Sequence, residues 1–226
     1  MASIIKARTI SSIVDNRVRL TNSNCARLWS SDVGTAWTKI RVGCRMSIEN
    51  TGASITSTPR FAFGICSGTS NIFMDPTTTH WAGFLTNATT MPFYSNGNYT
   101  TSGECVVAKR ISSTLTIGSI IASNFSTQDC TTAARSMLCL DITKGSPNFT
   151  FQAFYNQTLP TADVPLATYI SQLTLTTPAF SNHGFGTAQT LAIDETTNGF
   201  FNAVNVAWDR SSPAIELSDI AVVKLA

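Results

Sequence analysis

The stretch WTKIRVGCRMSIEN, residues 37–50, constrains the fold most, because apolar and polar residues alternate along it. The apolar set is Ile40, Val42, Cys44, Met46 and Ile48, and the intervening set is Lys39, Arg41, Gly43, Arg45 and Ser47. A period of two is typical of a half-buried antiparallel strand, with one face on a core and the other in solvent. In a helix, the same residues would be scattered over every side. We therefore predict a strand with a charged outer face.

Many other short apolar segments are bounded by Gly, Pro, Asn, Ser or Thr, as strands usually are. We predict strands at 61–66, 81–85, 104–111, 114–121, 135–142, 148–155, 170–177, 189–193, 200–208 and 216–225. The turn residues from Lys144 to Pro147 join two of these strands into a hairpin. Two long loops, 66–84 and 85–104, remain as candidate contact regions. This strand density predicts an all-β, two-sheet antiparallel sandwich.

A chain of 226 residues fits one large domain. We divide it into an N-terminal segment, 1–36, and a β-sandwich, 37–226. Residues 1–60 hold nine Lys/Arg against three Asp/Glu, whereas the remainder is acidic. One interpretation is charge scattered over a surface; the other is a basic N-terminal segment that docks on a neighbouring subunit. The chain has no Lys/Arg run or basic aromatic motif, so we do not expect nucleic-acid binding.

The first twenty residues have no continuous apolar core, so we expect no signal peptide and synthesis in a cytosol. No stretch is long and apolar enough to suggest membrane insertion. The six cysteines form no Cys-x-x-Cys pair and have no nearby His, which disfavours zinc. Their even number is compatible with disulfides, but a cytosolic origin favours free thiols. We expect no metal and no cofactor.

The end of the chain resembles the closing segment of concanavalin-A-like, laminin-G-like jelly-roll domains. The resemblance is carried by Phe200, Phe201, Asn202, Val204, Val206 and Trp208, and then by Leu217, Ser218, Asp219 and Ile220. The predicted hairpin SMLCLDITKGSPNFTFQAFY is similar to the central hairpin of that family. The chain departs from the family at Ala203, where Gly is usual, and at Asn205, where an acidic residue is usual. The resemblance implies a jelly-roll sandwich.

Catalytic machinery is not recognisable in the sequence. Glycan hydrolases of this fold resemble one another in a Glu-x-Asp-x-x-Glu strand, and none of the four glutamates here has that spacing. The two histidines, His80 and His183, lie in predicted loops without a nucleophile motif. A phosphate-binding glycine loop is also missing from the sequence. We therefore predict that the protein is not an enzyme and assign no catalytic residue.

A sugar site needs an aromatic plate beside polar hydrogen-bonding groups. Two clusters in the long loops offer both, and the candidate residues are Asp75, His80 and Trp81 in one and Tyr94, Asn96 and Tyr99, with Asn98, in the other. Trp81 has an alternative role as a core aromatic that begins the strand WAGFL. Asp75, Asn71 and Asn96 could donate oxygens to Ca²⁺, but ordinary turn-forming Asn and Asp are the preferred interpretation.

The charged fraction is only 12%, which suits a surface covered by neighbours better than a free monomer. We therefore predict a structural subunit of a virus particle, most readily a bacteriophage capsid decoration, fibre or tail protein, with host attachment as a further role. It would be located in the virion, and its partners would be copies of itself, other virion proteins and a cell-surface glycan. The alternative function is a lectin-like, carbohydrate-binding module.

Overall fold

The structure is a computed structural model of the chain. The described residues are 4–5, 12–14, 17–20, 25–29, 37–49, 61–66, 80–86, 94–95, 98–99, 103–111, 114–125, 128–129, 134–145, 147–156, 160–175, 177–178, 183–185, 188–193, 203–208 and 214–226. Within these residues, no helix is long and apolar enough to cross a bilayer.

Eighteen strands and one helix form in this part of the chain. The strands are β1 (Ile4–Ile5), β2 (Ser12–Val14), β3 (Arg17–Leu20), β4 (Cys25–Trp29), β5 (Lys39–Ile48), β6 (Phe61–Cys66), β7 (Trp81–Thr86), β8 (Tyr94–Ser95), β9 (Asn98–Tyr99), β10 (Gly103–Ile111), β11 (Thr114–Phe125), β12 (Gln128–Asp129), β13 (Ser136–Thr143), β14 (Asn148–Asn156), β15 (His183–Phe185), β16 (Gln189–Ala192), β17 (Ala203–Trp208) and β18 (Ile215–Lys224). The helix, α1, is Leu166–Leu173.

The strands form two large sheets that pack face to face. The seven-stranded sheet has the order β1-β4-β17-β6-β7-β10-β11, and the nine-stranded sheet has the order β15-β14-β13-β5-β18-β3-β2, with β12 beside β5 and β16 beside β14. Every described pairing is antiparallel except that of β12 with β5. Apolar side chains of both sheets meet in one core, among them Val42 and Leu140 from one sheet and Phe63 and Phe84 from the other. The predicted all-β, two-sheet antiparallel sandwich is confirmed.

Strand β5 differs from the prediction on one of its faces. Ile40, Val42 and Cys44 face the core as expected. Its charged side is not in solvent, because Arg41 is 0% exposed and Arg45 is also buried. The buried guanidinium groups are paired with carboxylates and carbonyl oxygens, which offsets the cost of removing a charge from water. An alternating pattern shows that a strand has two chemically different faces, but it does not show that the polar face is exposed to solvent.

A second difference concerns residues 170–177, which we predicted as a strand and which contain the end of helix α1. Tyr169 and Leu173 are spaced by four positions, so they lie on one side of the helix and both are buried. Pro165 is the N-cap, and its carbonyl oxygen accepts the first intrahelical hydrogen bond, from the Tyr169 N–H at 2.9 Å. The spacing of the apolar residues after Pro165 fits both the two-residue period of a strand and the 3.6-residue period of a helix, and packing on the sheet selects the helix.

The described strands of residues 1–36 are part of the sandwich. β3 pairs with β18, and β4 pairs with β17. Val18 and Leu20 of β3 lie in the core between the sheets. The sandwich therefore extends upstream of residue 37, where our division of the chain placed its start. Docking of this segment on a neighbouring subunit stays a prediction.

The hairpin around Lys144 and Gly145 is confirmed. β13 and β14 pair from Leu138 opposite Tyr155 to Thr143 opposite Thr150. Trp37 packs edge-on against Phe149 beside this turn, and the Lys144 ammonium lies 4.1 Å from the centre of the Trp37 ring.

Candidate functional site

The sequence-predicted loop 85–104 contains a two-stranded hairpin, formed by β8 and β9. Tyr94 is the cross-strand partner of Tyr99, and Ser95 is the partner of Asn98. The connection consists of Asn96 and Gly97, which lie outside the described residues. Asn-Gly between short strands is the strongest local signal for a tight hairpin. That dipeptide could have revealed the hairpin from the sequence alone.

The hairpin is carried by two neighbouring strands of the seven-stranded sheet. β7 ends at Thr86, which pairs with Cys105 near the start of β10. The chain therefore leaves the sheet and returns to it at adjacent positions. Segments held in this way by a paired scaffold are where binding residues are most often found.

Trp81 does not form an exposed plate. It is 0% exposed and packs on the outer face of the seven-stranded sheet in a cluster of Ala62, Cys66, Trp81, Leu85, Val106 and Ala108. This is its alternative role as a core aromatic. His80 is half-buried just before the strand, and Asp75 and Asn71 lie outside the described residues.

The two predicted clusters are attached to opposite ends of β7. His80 precedes Trp81 at the end of β7 where it pairs with Cys66, whereas the segment bearing the hairpin follows Thr86 at the far end. Six residues of extended strand span roughly 17 Å. The length of β7 therefore separates His80 from the point where the hairpin segment leaves the sheet.

Charged side chains form a closed ring on the outer face of the nine-stranded sheet, an arrangement that we did not predict. We call Arg45, Asp163, Arg135 and Asp219 the Arg–Asp ring. Each guanidinium contacts both carboxylates. Arg45 nitrogens lie 2.6 Å from an Asp219 carboxylate oxygen and 3.6 Å from an Asp163 carboxylate oxygen. Arg135 nitrogens lie 2.5 Å from an Asp163 carboxylate oxygen and 3.5 Å from an Asp219 carboxylate oxygen. The partners come from four separate parts of the chain, so no local pattern could predict their meeting.

Asp219, from the LSDI segment, occupies an irregular position in β18. Its φ is 50°, in the left-handed region that residues other than Gly seldom adopt, although Asp tolerates it better than most. The register of β18 against β5 shifts by one residue between Ser218 and Ala221, as in a β-bulge. Bulges commonly re-aim a side chain, and here the Asp219 carboxylate meets both arginines of the ring.

A second ionic group surrounds Arg41. Its guanidinium bonds both Asp141 oxygens, at 2.5 and 2.9 Å, and donates to the carbonyl oxygens of Leu173 and Leu175 at 3.2 and 2.5 Å. It also lies 5.0 Å from the centre of the Phe154 ring. Lys39 approaches Asp141 at 3.3 Å.

Together the two groups hold one segment, residues 163–175, which we call the strap. The Arg–Asp ring holds its beginning through Asp163 and through the Val164 carbonyl, which accepts from Arg45 at 2.5 Å. Arg41 holds its end. Between them, Tyr169 lies against Gly43, with Arg45 over its ring at 5.5 Å. Because each carboxylate contacts cationic partners, this arrangement positions a segment of the chain on the sheet.

Burial raises the pKa of two thiols in the nine-stranded sheet and of one phenol in the strap. Burial raises the pKa of the Cys139 thiol from its ordinary 9.0 to about 12, against a lowering effect of Arg41. Burial likewise raises the pKa of Cys44 and that of the Tyr169 phenol well above their usual ranges. Cys44 and Cys139 carry free thiols. Among the described residues, no three His, Cys, Asp or Glu side chains are grouped to hold a metal ion.

No protein-family model and no curated protein matches this chain. Among solved structures, it is similar to the exoplasmic/lumenal domain of VIP36 bound to Ca²⁺ and Man3GlcNAc, with a TM-score of 0.48, 10% identity and coverage of 94% of this chain and 80% of that one. It is similar to the metal-free carbohydrate recognition domain of Emp46p, with a TM-score of 0.44, 10% identity and coverage of 100% and 87%. It is also similar to peanut lectin, with a TM-score of 0.37, 9% identity and coverage of 98% and 90%.

Proposed function

We propose that the protein is a non-enzymatic, lectin-like carbohydrate-binding domain and that the β8–β9 hairpin is its contact element. The observation that carries this proposal is the hairpin register, which makes Tyr94 and Tyr99 direct cross-strand partners. Residues paired in this way share one face of a ribbon. Tyr94 and Tyr99 occupy one register position of the ribbon and Ser95 and Asn98 occupy the next, so the hairpin combines the aromatic and polar residue types that a sugar site uses.

The residue types support the same proposal. Tyr, Asn, Ser and Gly are the residues that contact loops use most, since Tyr gives a large contact area at a low entropic cost and the others give adaptable hydrogen bonds. The segment 85–103 contains all four types and no charged residue. Asn96 and Gly97 connect the two strands and complete this set.

A virion subunit remains the second candidate function. The observations that favour it are the low charged fraction and the exposed apolar side chains of helix α1. Both suit a chain that is covered by neighbours in an assembly. The two functions are compatible in an attachment protein, which must both assemble and bind a host surface.

A glycan panel of neutral and acidic oligosaccharides tests the first proposal. We expect binding that is lost in Tyr94→Ala and in Tyr99→Ala and largely retained in Tyr94→Phe, which keeps the aromatic ring. Thr116→Ala is the matched control, because Thr116 is exposed in β11 and pairs with Lys109, towards the end of the sheet remote from Thr86. Absence of binding to every glycan, or binding that survives both alanine substitutions, would overturn the proposal.

A further inference from the structure

Two buried thiols lie on opposite faces of the nine-stranded sheet. Cys44, in β5, belongs to the core between the two sheets. Cys139, in the neighbouring strand β13, lies on the outer face of the sheet. Its cluster there joins side chains of the sheet to side chains of the strap, namely Met137, Phe154, Ala221, Tyr169 and Leu173. The strap therefore covers Cys139, whereas the interior of the sandwich encloses Cys44.

The contact between the strap and Cys139 is close. Tyr169 Oη, Leu173 Cδ2 and Cys139 Sγ all lie within 3.1 Å of the point where a Cβ on Gly43 would stand. Gly43 is the cross-strand partner of Cys139 and has no side chain, so the strap fills the space beside the thiol. Cys139 is fully buried in this arrangement. We therefore expect displacement of the strap to give water access to this thiol.

Helix α1 depends on its contacts with the sheet. It has eight residues, and isolated helices shorter than about 12 residues are marginal in water. Its N-cap, Pro165, makes no side-chain hydrogen bond to the first turn. The first turn contains no acidic residue and the last turn no basic residue, so side-chain charge does not complement the helix dipole. The helix should therefore unfold when the strap leaves the sheet.

The interior core is separate from the strap. The described residues of the core cluster come from both sheets, and none of them lies in 163–175. The Arg–Asp ring that holds the beginning of the strap is within reach of water, since the Asp163 side chain is 25% exposed. A segment that packs outside the main core can open as a cooperative unit of its own.

We propose that the strap opens as a local unit while the sandwich stays folded, and that this opening controls the reactivity of Cys139. The thiolate is the reactive form of cysteine. With the strap in place, burial holds the pKa of the Cys139 thiol at about 12, so the thiolate is scarce. With the strap open, the thiol meets water and its pKa falls towards 9.0. The strap therefore acts as a reversible shield over one thiol.

Pulse labelling of the whole protein with N-ethylmaleimide tests this proposal. The thiolate sulfur adds to the maleimide double bond, and the neighbouring carbon takes a proton from water. Trypsin then separates the two thiols, because Cys44 lies in the peptide 42–45 and Cys139 in the peptide 136–144. We expect Cys139 to be labelled at least about tenfold faster than Cys44, because local opening is more frequent than global unfolding. Urea should accelerate Cys139 less steeply than Cys44, because local opening exposes less surface.

Two variants distinguish local opening from global unfolding. Phe84 lies in the core, on the sheet remote from the strap, so Phe84→Leu destabilises the closed and open forms alike. It should accelerate the labelling of Cys44 and leave the rate at Cys139 unchanged. Asp163→Asn weakens the closed form, through lost contacts with Arg45 and Arg135, and should accelerate Cys139 by roughly tenfold.

Three results would overturn the proposal. Equal labelling rates for the two thiols in the wild-type protein would show that Cys139 is reached only by global unfolding. A Phe84→Leu protein in which both thiols are accelerated by the same factor would show the same. A Cys139 rate that Asp163→Asn leaves unchanged would show that the Arg–Asp ring does not hold the strap closed.

Discussion

Replacing Gly43 by alanine tests whether the strap is held by shape as well as by charge. A methyl group at this position would stand 2.7 Å from the Tyr169 Oη, 2.9 Å from Leu173 Cδ2 and 3.1 Å from the Cys139 Sγ. Tyr169 would have to retreat by about 0.7 Å to reach an ordinary contact of about 3.4 Å. Because its ring is buried, this movement must shift the helix. We therefore expect the substitution to push the strap away from the sheet.

Two opposing effects set the magnitude. Overpacking a close-packed core costs about 1–3 kcal/mol. Alanine restricts the unfolded chain more than glycine does, which returns roughly 0.5–1 kcal/mol in a strand. The net loss for Gly43→Ala should be about 1–2 kcal/mol of unfolding free energy. A fully lifted strap would instead lose the burial of Tyr169 and Leu173, at about 1.5–3 kcal/mol each, so a small displacement is the cheaper response.

Urea denaturation of Gly43→Ala, of Tyr169→Phe and of the double variant measures this effect. Removing the Tyr169 Oη removes the closest contact. The loss of unfolding free energy in the double variant should therefore be about 1 kcal/mol smaller than the sum of the losses in the two single variants. Thr174→Ala, an exposed change on the same strap, should cost less than about 0.5 kcal/mol. Strict additivity, or a Gly43→Ala protein as stable as wild type, would refute the argument.

Two further predictions concern charge. Asp163→Asn should cost about 1–3 kcal/mol in the same assay, because it leaves Arg45 and Arg135 sharing one carboxylate, and the partial exposure of Asp163 keeps the loss below that of a fully buried pair. Ser218→Ala, which removes only a hydroxyl partner of Arg135, should cost about 1 kcal/mol, and the reverse order of these two variants would contradict the ring. Alkaline pH should destabilise the protein, because the Cys139 pKa is raised from 9.0 to about 12 on folding: its contribution is complete below pH 9.0 and is lost as pH rises towards 12. Unfolding free energies at a series of alkaline pH values should therefore fall less steeply in Cys139→Ala, and an equal slope would show that another group is responsible.

The sandwich could be predicted because its signals are local. The alternation along residues 39–48 and the turn at Lys144 and Gly145 both depend on neighbours in sequence, and the structure contains the strand and the hairpin they indicate. The helix was missed for the same reason. Leu173 and Leu175 are two positions apart, as in a strand, while Tyr169 and Leu173 are four apart, as in a helix, and only contact with the sheet distinguishes these patterns.

The burial and pairing of the charged residues could not be predicted, because their partners are distant in sequence. Arg41 is held by oxygens that lie 100 to 134 residues further on. A lone arginine on a strand indicates a solvent-exposed face unless a carboxylate is known to pair with it. The candidate site divides in the same way. Trp81 could be assigned to the core or to the surface from its sequence context, with the core slightly favoured, and it lies in the core. Asn96 and Gly97, in contrast, are a local signal for the hairpin.

The Arg–Asp ring also has a consequence for synthesis on the ribosome. Arg45 and Asp219 are separated by 174 residues, and the strand that carries Asp219 lies between β5 and β3 in the middle of its sheet. While residue 219 is still inside the ribosome, β5 and β3 have emerged but have no central partner, and two arginines are without one of their carboxylates. The nine-stranded sheet therefore cannot close until β18 has left the ribosome, and until then the nascent chain exposes unpaired strand edges, which favour aggregation.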